Sequence, residues 1–282
     1  MRALAEFIMR GRTQAAIVAL IGHWIPLLGP ATVALVTLRR GAANGVLILL
    51  WAILPAIVLL VMQQQSALLA VTGVVSVCVG AAILRRSALW QYALMALVAC
   101  NTLGVLLLAL LMPEAVARMV ELCTELFNQL QAQSDQPLGL PVPDTTLVLA
   151  LMAAMTTLSG VLGLILARWW QSLLYNPGGF AAEFRAMRLA PLPATVCALA
   201  VAYCYWRGEG TGMWVLVFAQ PLLFAGIALV HAIVAARGMG VQWLVMLYIA
   251  MVVLLQPLTA LLVIVAFCDT WLNFRGRLRP KA

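Results

Sequence analysis

Charged residues are rare in this chain, and they stand in short clusters between long apolar runs. Hydrophobic residues make up 65% of the 282 residues, whereas charged residues make up only 9%. The basic clusters are Arg39-Arg40, Arg85-Arg86, Arg168 with Arg185 and Arg188, Arg237, and the tail of Arg275, Arg277, Arg279 and Lys281. A soluble protein of this composition would have too little polar surface to stay dispersed. The pattern therefore predicts an all-α protein that crosses a membrane several times.

Several uncharged stretches are long enough to cross a bilayer, whose hydrocarbon core of about 30 Å takes roughly 20 helical residues. Lipid-exposed backbone must satisfy its own hydrogen bonds, so we expect these stretches to be helices. We predict a single integral membrane domain over residues 1–282, a transmembrane helical bundle with six full spans. The predicted spans are 44–62, 66–84, 88–112, 145–167, 190–206 and 212–236.

The first and last apolar runs contain prolines that divide them. Pro26 and Pro30 flank the first break, and Gln256-Pro257 lies near the centre of 238–272. Proline lacks a backbone N–H and kinks or ends a helix. We predict that each run enters the membrane and returns, as a hairpin or re-entrant segment, with N-terminal helices near 13–25 and 30–38. The alternative is one long tilted C-terminal helix, with the tail on the opposite side.

With both terminal segments returning, most basic residues fall on one side of the membrane. Among the lysines and arginines only Arg118 and Arg207 lie on the far side. Cytoplasmic loops of membrane proteins carry the excess of Lys and Arg. We therefore predict a multi-pass protein of a bacterial cytoplasmic membrane, with both termini and the basic tail 273–282 in the cytoplasm. Because the arginines fit loop positions, the net charge of +8 does not indicate a nucleic-acid partner.

Segment 113–144 is predicted to be an extracytoplasmic amphipathic helix followed by a loop. Pro113 suits the first position of a helix. Apolar residues then recur on one face at helical spacing, namely Val116, Met119, Val120, Cys123, Leu126, Phe127 and Leu130. Such a helix lies on the membrane surface or covers the bundle.

Segment 168–191 is predicted to be a cytoplasmic amphipathic loop. Its two tryptophans are typical of the membrane interface, and YNPGG predicts a sharp turn. We interpret it as an interfacial linker, as a docking surface for a protein partner, or as a re-entrant loop lining a site. The residues of this partner or loop site are Arg168, Trp169, Trp170, Tyr175, Asn176, Pro177, Gly178, Gly179, Phe180, Glu183 and Arg185.

Polar side chains are rare inside the predicted spans, and intramembrane polar groups often mark function. The predicted substrate-binding residues are His23, Pro26, Asn101, Gln220, His231 and Gln256. The alternative is that the amide side chains only hold neighbouring helices together. Asp269 is expected to pair with Arg275 and to act as a structural anchor.

No catalytic residue, metal site or cofactor is predicted. The six cysteines form no CxxC pair, and the chain has no HExxH motif or phosphate-binding glycine loop. Thr157-Leu158-Ser159-Gly160 resembles the GxSG motif of rhomboid intramembrane proteases. With His231 as a base, this motif gives a remote alternative, an intramembrane hydrolase.

Four blocks resemble the YybS-like family of bacterial integral membrane proteins. They are MRALAEFIMRGRTQAA at the start, LVTLRRG at 35–41, RWWQSLLYNPGGFAAEF at 168–184 and CDTWLNFRGR at 268–277. The resemblance implies a membrane location and carries no catalytic residues. The family's architecture is distantly similar to the substrate-binding membrane subunits of energy-coupling-factor vitamin transporters.

The resemblance and the polar residues together lead to a functional hypothesis. We expect a small-molecule-binding transporter or transporter subunit, with the lipid bilayer, a small-molecule substrate and a membrane protein or coupling subunit as partners. The alternative is a non-transport membrane scaffold that binds a protein partner through 168–191.

Overall fold

The computed structural model is a bundle of α-helices, and it describes residues 1–62, 67–133, 141–208 and 210–277. The all-α prediction is confirmed. The helices are α1 Arg2–Arg10, α2 Arg12–Ile21, α3 Leu28–Arg40, α4 Ala42–Val61, α5 Ala67–Ser87, α6 Trp90–Leu111, α7 Pro113–Ala132, α8 Thr145–Tyr175, α9 Gly179–Ala186, α10 Pro191–Arg207, α11 Val215–Phe218, α12 Gln220–Ala236, α13 Gln242–Val253, α14 Leu255–Leu272 and α15 Phe274–Arg277. A 3-10 turn at Thr211–Trp214 precedes α11.

The protein is a multi-pass membrane protein by the length and composition of its helices. In the described part of the chain, α4, α5, α6, α8 and α14 are each long and apolar enough to cross a bilayer. The number rises to as many as seven if each of two bent pairs counts as one span. These pairs are α9 with α10, bent by 63°, and the 211–218 segment with α12, bent by 43°. Large apolar side chains such as Trp51 and Leu107, 45% and 44% exposed, lie on the outside of these helices. A lipid environment covers such surfaces.

The basic clusters at 39–40, 85–86 and 168–188 and the described start of the tail, Arg275, meet at one end of the bundle, which we call the arginine end. The contacts that join them are Arg40 to the Met9 carbonyl, Arg85 to the Leu38 carbonyl, Arg39 to the Tyr175 ring, Arg168 to Glu183, and Arg188 to the Thr270 carbonyl. Met9 and Arg40 enclose the first apolar run, so this run returns to the end where it began. The last run also returns, because His231 before it contacts Phe184 in α9 and Thr270 near its end contacts Arg188.

The N-terminal break differs by several residues from its predicted position. Helix α2 ends at Ile21 rather than near 25, and α3 begins at Leu28 rather than at 30. Pro30 lies in the first turn of α3, where its missing N–H costs no helical hydrogen bond. Gly22 and Gly29 face each other across the break: a Cβ on Gly22 would lie 2.6 Å from the Gly29 nitrogen. The two short helices can approach this closely because Gly22 carries no Cβ.

Three other predicted boundaries differ from those of the structure, two of them next to prolines. The C-terminal break lies at Leu254, and Pro257 again occupies the first turn of the helix that follows, α14. The predicted span 212–236 is interrupted at Ala219, because Pro221 begins a new helix. The span predicted to end at 167 continues as α8 to Tyr175, a length of about 46 Å at about 1.5 Å per residue.

The predicted amphipathic helix of segment 113–144 is present as α7. Its first turn packs on the bundle, with Ala115 and Val116 buried, whereas Leu126 and Leu130 are 57% and 45% exposed. The outer half of its apolar face is therefore uncovered by the described protein. The boundary at 63–66, the 134–140 part of the predicted loop and the tail beyond Arg277 lie outside the described residues.

Candidate functional site

A cavity of about 580 Å³ lies toward the arginine end between α8, α9, α12 and α13. We call it the aromatic cavity. Its lining is mainly apolar and aromatic, and includes Leu158, Leu162, Trp169, Phe180, Phe184, Leu223, Phe224 and Met251. Its polar side chains are Ser172, Arg185, His231 and Tyr248. A mostly apolar cavity of this size with a few convergent polar groups is typical of a small-molecule site.

A row of rings crosses this cavity from α9 through α12 to α13. The centroids of Phe180 and Phe184 are 5.7 Å apart, and Phe184 meets His231 edge-on at 5.2 Å. His231 Nε2 lies 2.9 Å from the Tyr248 hydroxyl, and the tautomer of the imidazole decides which atom donates. His231 was among the predicted substrate residues, but Tyr248 was missed. Tyr248 could have been identified from the sequence because it is a tyrosine in an apolar helix, and a half-buried phenol usually needs a hydrogen-bond partner.

The YNPGG turn places α9 against the bundle, as the turn prediction required. Gly178 has φ +83°, a conformation that favours glycine. Ser172 closes the turn: its hydroxyl donates to the Asn176 carbonyl at 2.7 Å and accepts from the Phe180 N–H at 3.1 Å. The chain therefore reverses direction at the end of α8 and brings Phe180 over the cavity.

Glu183 then ties α9 to two other helices. Its carboxylate accepts bonds from the Arg168 guanidinium, at 2.9 Å from Nε and 2.6 Å from Nη2, and from Trp90 Nε1 at 2.7 Å. The Arg168 and Glu183 side chains are 32% and 24% exposed, and Trp90 is 4% exposed. Charge-assisted bonds of this geometry are among the stronger ones in proteins. Two residues predicted to form a docking surface, Arg168 and Glu183, are thus used inside the bundle.

The rest of the 168–191 segment divides into buried and exposed residues. Trp170, predicted to be an interfacial anchor, is 1% exposed and belongs to the core, so that interpretation was wrong. It is one position from Trp169, about 100° round the helix, and therefore faces the bundle while Trp169 lines the cavity. Tyr175 is 44% exposed, and its ring lies 4.0 Å from the Arg39 guanidinium. Asn176 and Pro177 are exposed, and Gly179 is half-buried.

A second cavity, of about 280 Å³, surrounds the N-terminal break, and we call it the break cavity. His23 and Pro26 line it together with Thr156 and Ser159. It does not include His231, which bonds to Tyr248 in the aromatic cavity. Ser159 and His231 therefore do not form the dyad that the hydrolase alternative requires.

The remaining predicted substrate residues lie outside both cavities. Asn101 donates to the Ser76 hydroxyl at 3.1 Å and the Leu97 carbonyl at 2.9 Å, which ties α6 to α5. Gln220 donates to the Ala154 carbonyl at 2.9 Å, which ties α12 to α8. Gln256 is exposed in the first turn of α14. The structure thus separates the predicted set into a pair at the break cavity, one residue at the aromatic cavity, and three residues elsewhere.

The predicted ion pair between Asp269 and Arg275 is formed. Arg275 Nη1 lies 2.7 Å from Asp269 Oδ2, and Asp269 is 1% exposed. Arg275 Nη2 also donates to the Met187 carbonyl at 2.8 Å and the Ala225 carbonyl at 3.2 Å. Burial lowers the pKa of Arg275, Asp269 raises it and Arg188 lowers it, but an arginine remains charged. The pair anchors the C-terminal end of α14 to the α9–α10 connection and to α12.

No family profile, curated protein or solved structure matches the chain.

Proposed function

We propose that this protein is a small-molecule-binding transporter or transporter subunit of a bacterial cytoplasmic membrane, and that its substrate binds in the aromatic cavity. The observation that carries the proposal is one cavity of about 580 Å³ in which an aromatic row, the His231–Tyr248 pair and Arg185 meet. Small-molecule sites in proteins combine an apolar lining with a few such polar groups. The analogy to energy-coupling-factor subunits supports the same class, whereas the YybS-like resemblance implies only a membrane location.

The lining indicates the chemical class of the substrate. Trp169, Phe180 and Phe184 suit a flat apolar or aromatic body, because aromatic pairs gain energy beyond area burial. The Arg185 guanidinium suits an anionic group at one end, and the imidazole–phenol pair can exchange a hydrogen bond with a polar substituent. We therefore propose an amphipathic aromatic molecule that carries an acidic group.

The arginine end is proposed to face the cytoplasm, because Lys and Arg accumulate in cytoplasmic loops. The aromatic cavity would then lie on the cytoplasmic side. A single cysteine at Arg277 and one at Ser87 would both be labelled only from the cytoplasmic side of the membrane. Labelling of either cysteine from outside would overturn this orientation.

The scaffold alternative has less support from the same residues. A docking surface must be exposed, whereas Phe180, Phe184 and Glu183 are turned toward the bundle and make internal contacts. The exposed remainder of the 168–191 segment is mainly the turn from Tyr175 to Gly178 and the alanines of α9.

Native mass spectrometry of the gently purified protein tests the proposal. We would compare wild type with Ala181→Trp, which places an indole in the cavity, and with Ala182→Trp, a neighbouring exposed position that does not line it. Wild type and Ala182→Trp are expected to retain a bound small molecule that Ala181→Trp loses. Lipid alone on all three proteins, or equal retention by both variants, would contradict the proposed site.

A further inference from the structure

Four buried side-chain oxygens have no hydrogen-bond partner among the described residues. Three of them, Asn101 Oδ1 on α6, Thr157 Oγ1 on α8 and Gln220 Oε1 on α12, belong to residues that are 0%, 0% and 6% exposed. The fourth, Thr102 Oγ1, belongs to a half-buried residue of α6. Buried polar atoms in proteins are nearly always paired, and inside a bilayer no bulk water can satisfy them. Three unpaired oxygens on three different helices therefore need an explanation.

The three buried residues, Asn101, Thr157 and Gln220, lie at a similar level along the bundle, which we call one layer. Helix α6 begins and α8 ends near Glu183, so the two helices run antiparallel. A Cβ on Gly160 would lie 3.1 Å from the Leu97 side chain, which sets the register of this contact. Asn101 and Thr157 each lie about one turn from it in the same direction.

Gln220 reaches the same layer from α12. Its Nε2 donates to the carbonyl of Ala154, which is one turn before Thr157 on α8. The amide oxygen lies on the same small side-chain group, so it also sits beside this part of α8. The layer is thus formed by α6, α8 and α12, with Ser76 of α5 bonded to Asn101 at its edge.

The free atoms of the two amides are oxygens, because the opposite orientation would not fit their partners. The Asn101 amide N–H groups donate to the Leu97 carbonyl and the Ser76 hydroxyl, and those of Gln220 donate to the Ala154 and Leu216 carbonyls. Backbone carbonyls only accept hydrogen bonds. Both amide oxygens are therefore left to meet a positively charged or donating group.

The Thr157 hydroxyl differs from those of the other buried threonines because it makes no hydrogen bond to its own helix. Thr32 and Thr37 each donate their hydroxyl to a carbonyl one turn earlier, at 2.8 Å and 2.7 Å. The Thr157 hydroxyl makes no such bond within the described chain. Its oxygen is thus available to the layer rather than being used by its own helix.

We propose that Asn101, Thr157 and Gln220 bind a monovalent cation, with Na⁺ as the test ion. Hard cations take oxygen ligands, and a layer without a carboxylate suits a single charge better than a divalent ion. Thr156, Ser159 and Gly160, which are neighbours of Thr157 along α8, line the break cavity. The test of cation binding needs no ligand in the aromatic cavity.

Equilibrium binding of radioactive Na⁺ to the purified protein, together with its Tm in sodium and choline chloride at equal ionic strength, tests the site. Wild type is expected to bind Na⁺ saturably and to unfold a few degrees higher in sodium. Thr157→Val, which keeps the shape but removes the hydroxyl, should lose both effects. Thr157→Ser should retain them. Thr32→Val is the matched control and should also retain them, because its hydroxyl serves only its own helix.

Several results would overturn the proposal. One is the absence of saturable Na⁺ binding to wild type with an equal Tm in the two salts, which would mean that the layer holds only water. Another is Na⁺ binding that survives in Thr157→Val, or that Thr32→Val loses equally. If Thr157→Val does not fold, Gln220→Leu takes its place, and binding to wild type remains decisive.

Discussion

Replacing Glu183 measures how firmly α9 is held over the aromatic cavity. In Glu183→Gln the amide oxygen can still accept from Trp90 Nε1, but the charge partner of Arg168 is lost. Bonds to charged groups contribute about 1.5–3 kcal/mol, and partial exposure of this pair reduces the expected loss to about 1–2 kcal/mol. In Glu183→Ala the indole N–H of Trp90, 4% exposed, also loses its partner, at a further cost of about 1–3 kcal/mol. The alanine variant should therefore be destabilised by about 2–5 kcal/mol.

Two assays separate global unfolding from detachment of α9. A thiol-reactive fluorophore reports unfolding, because Cys78, Cys197 and Cys204 are free and buried. Amide hydrogen exchange over 179–186 reports local opening, which an eight-residue helix can undergo while the rest of the bundle stays folded. We expect Glu183→Ala to lower the apparent Tm and to raise exchange in α9, with Glu183→Gln between it and wild type.

The control for this experiment is Glu6→Gln. Glu6 pairs with Arg2 at 2.8 Å, but both side chains are largely exposed, at 46% and 72%. Exposed pairs contribute little, so this variant should behave like wild type. The reasoning would be refuted if Glu183→Ala matched wild type in both Tm and α9 exchange, or if Glu6→Gln had the larger effect.

Two further substitutions test the packing around α14. Gly226→Ala should destabilise the protein by about 1–3 kcal/mol, because its Cβ would lie 2.5 Å from the Leu262 carbonyl oxygen. Gly73→Ala is the control, because its Cβ would meet no described atom of another element within 4 Å, and equal Tm values for the two variants would contradict the close α12–α14 contact. Asp269→Asn should cost about 3–5 kcal/mol in thermal unfolding, because it leaves the buried Arg275 charge without its partner; a Tm equal to that of wild type would mean that the anchor contributes nothing.

The positions of the spans could be predicted from the sequence, but the positions of the breaks could not. A run of apolar residues between arginines identifies a helix regardless of its neighbours, as α4, α5 and α6 illustrate. The prolines were interpreted as marking the breaks themselves. Pro30, Pro221 and Pro257 instead lie in the first turn of the helix that follows each break. A proline there costs no hydrogen bond, so it indicates where a helix begins rather than where one ends.

The candidate site could be predicted only in part, because its bonds join distant residues. The turn at Gly178 and the apolar face of α9 follow from local spacing. The partners of Glu183 do not, since Trp90 lies 93 positions away in the chain. Glu183 was predicted to belong to the partner or loop site of segment 168–191, and its bonds to Arg168 and Trp90 make it an internal link instead. His231 was singled out as a rare polar residue, but its partner Tyr248 belongs to another helix.

Helix α8 connects the two proposed sites. Leu158, Leu162 and Trp169 recur on the face that lines the aromatic cavity, and Thr157, on a neighbouring face, carries one of the three unpaired oxygens of the layer. A ligand shifts a conformational equilibrium only by its difference in affinity for the two states. A movement of α8 would change the contacts of both a cavity ligand and a cation. If both proposals hold, cation binding and substrate binding can be coupled through α8 and α12, the two described helices that contribute to both sites. Helix α12 supplies Gln220 and His231, and it is tied to α8 by the Gln220 side chain.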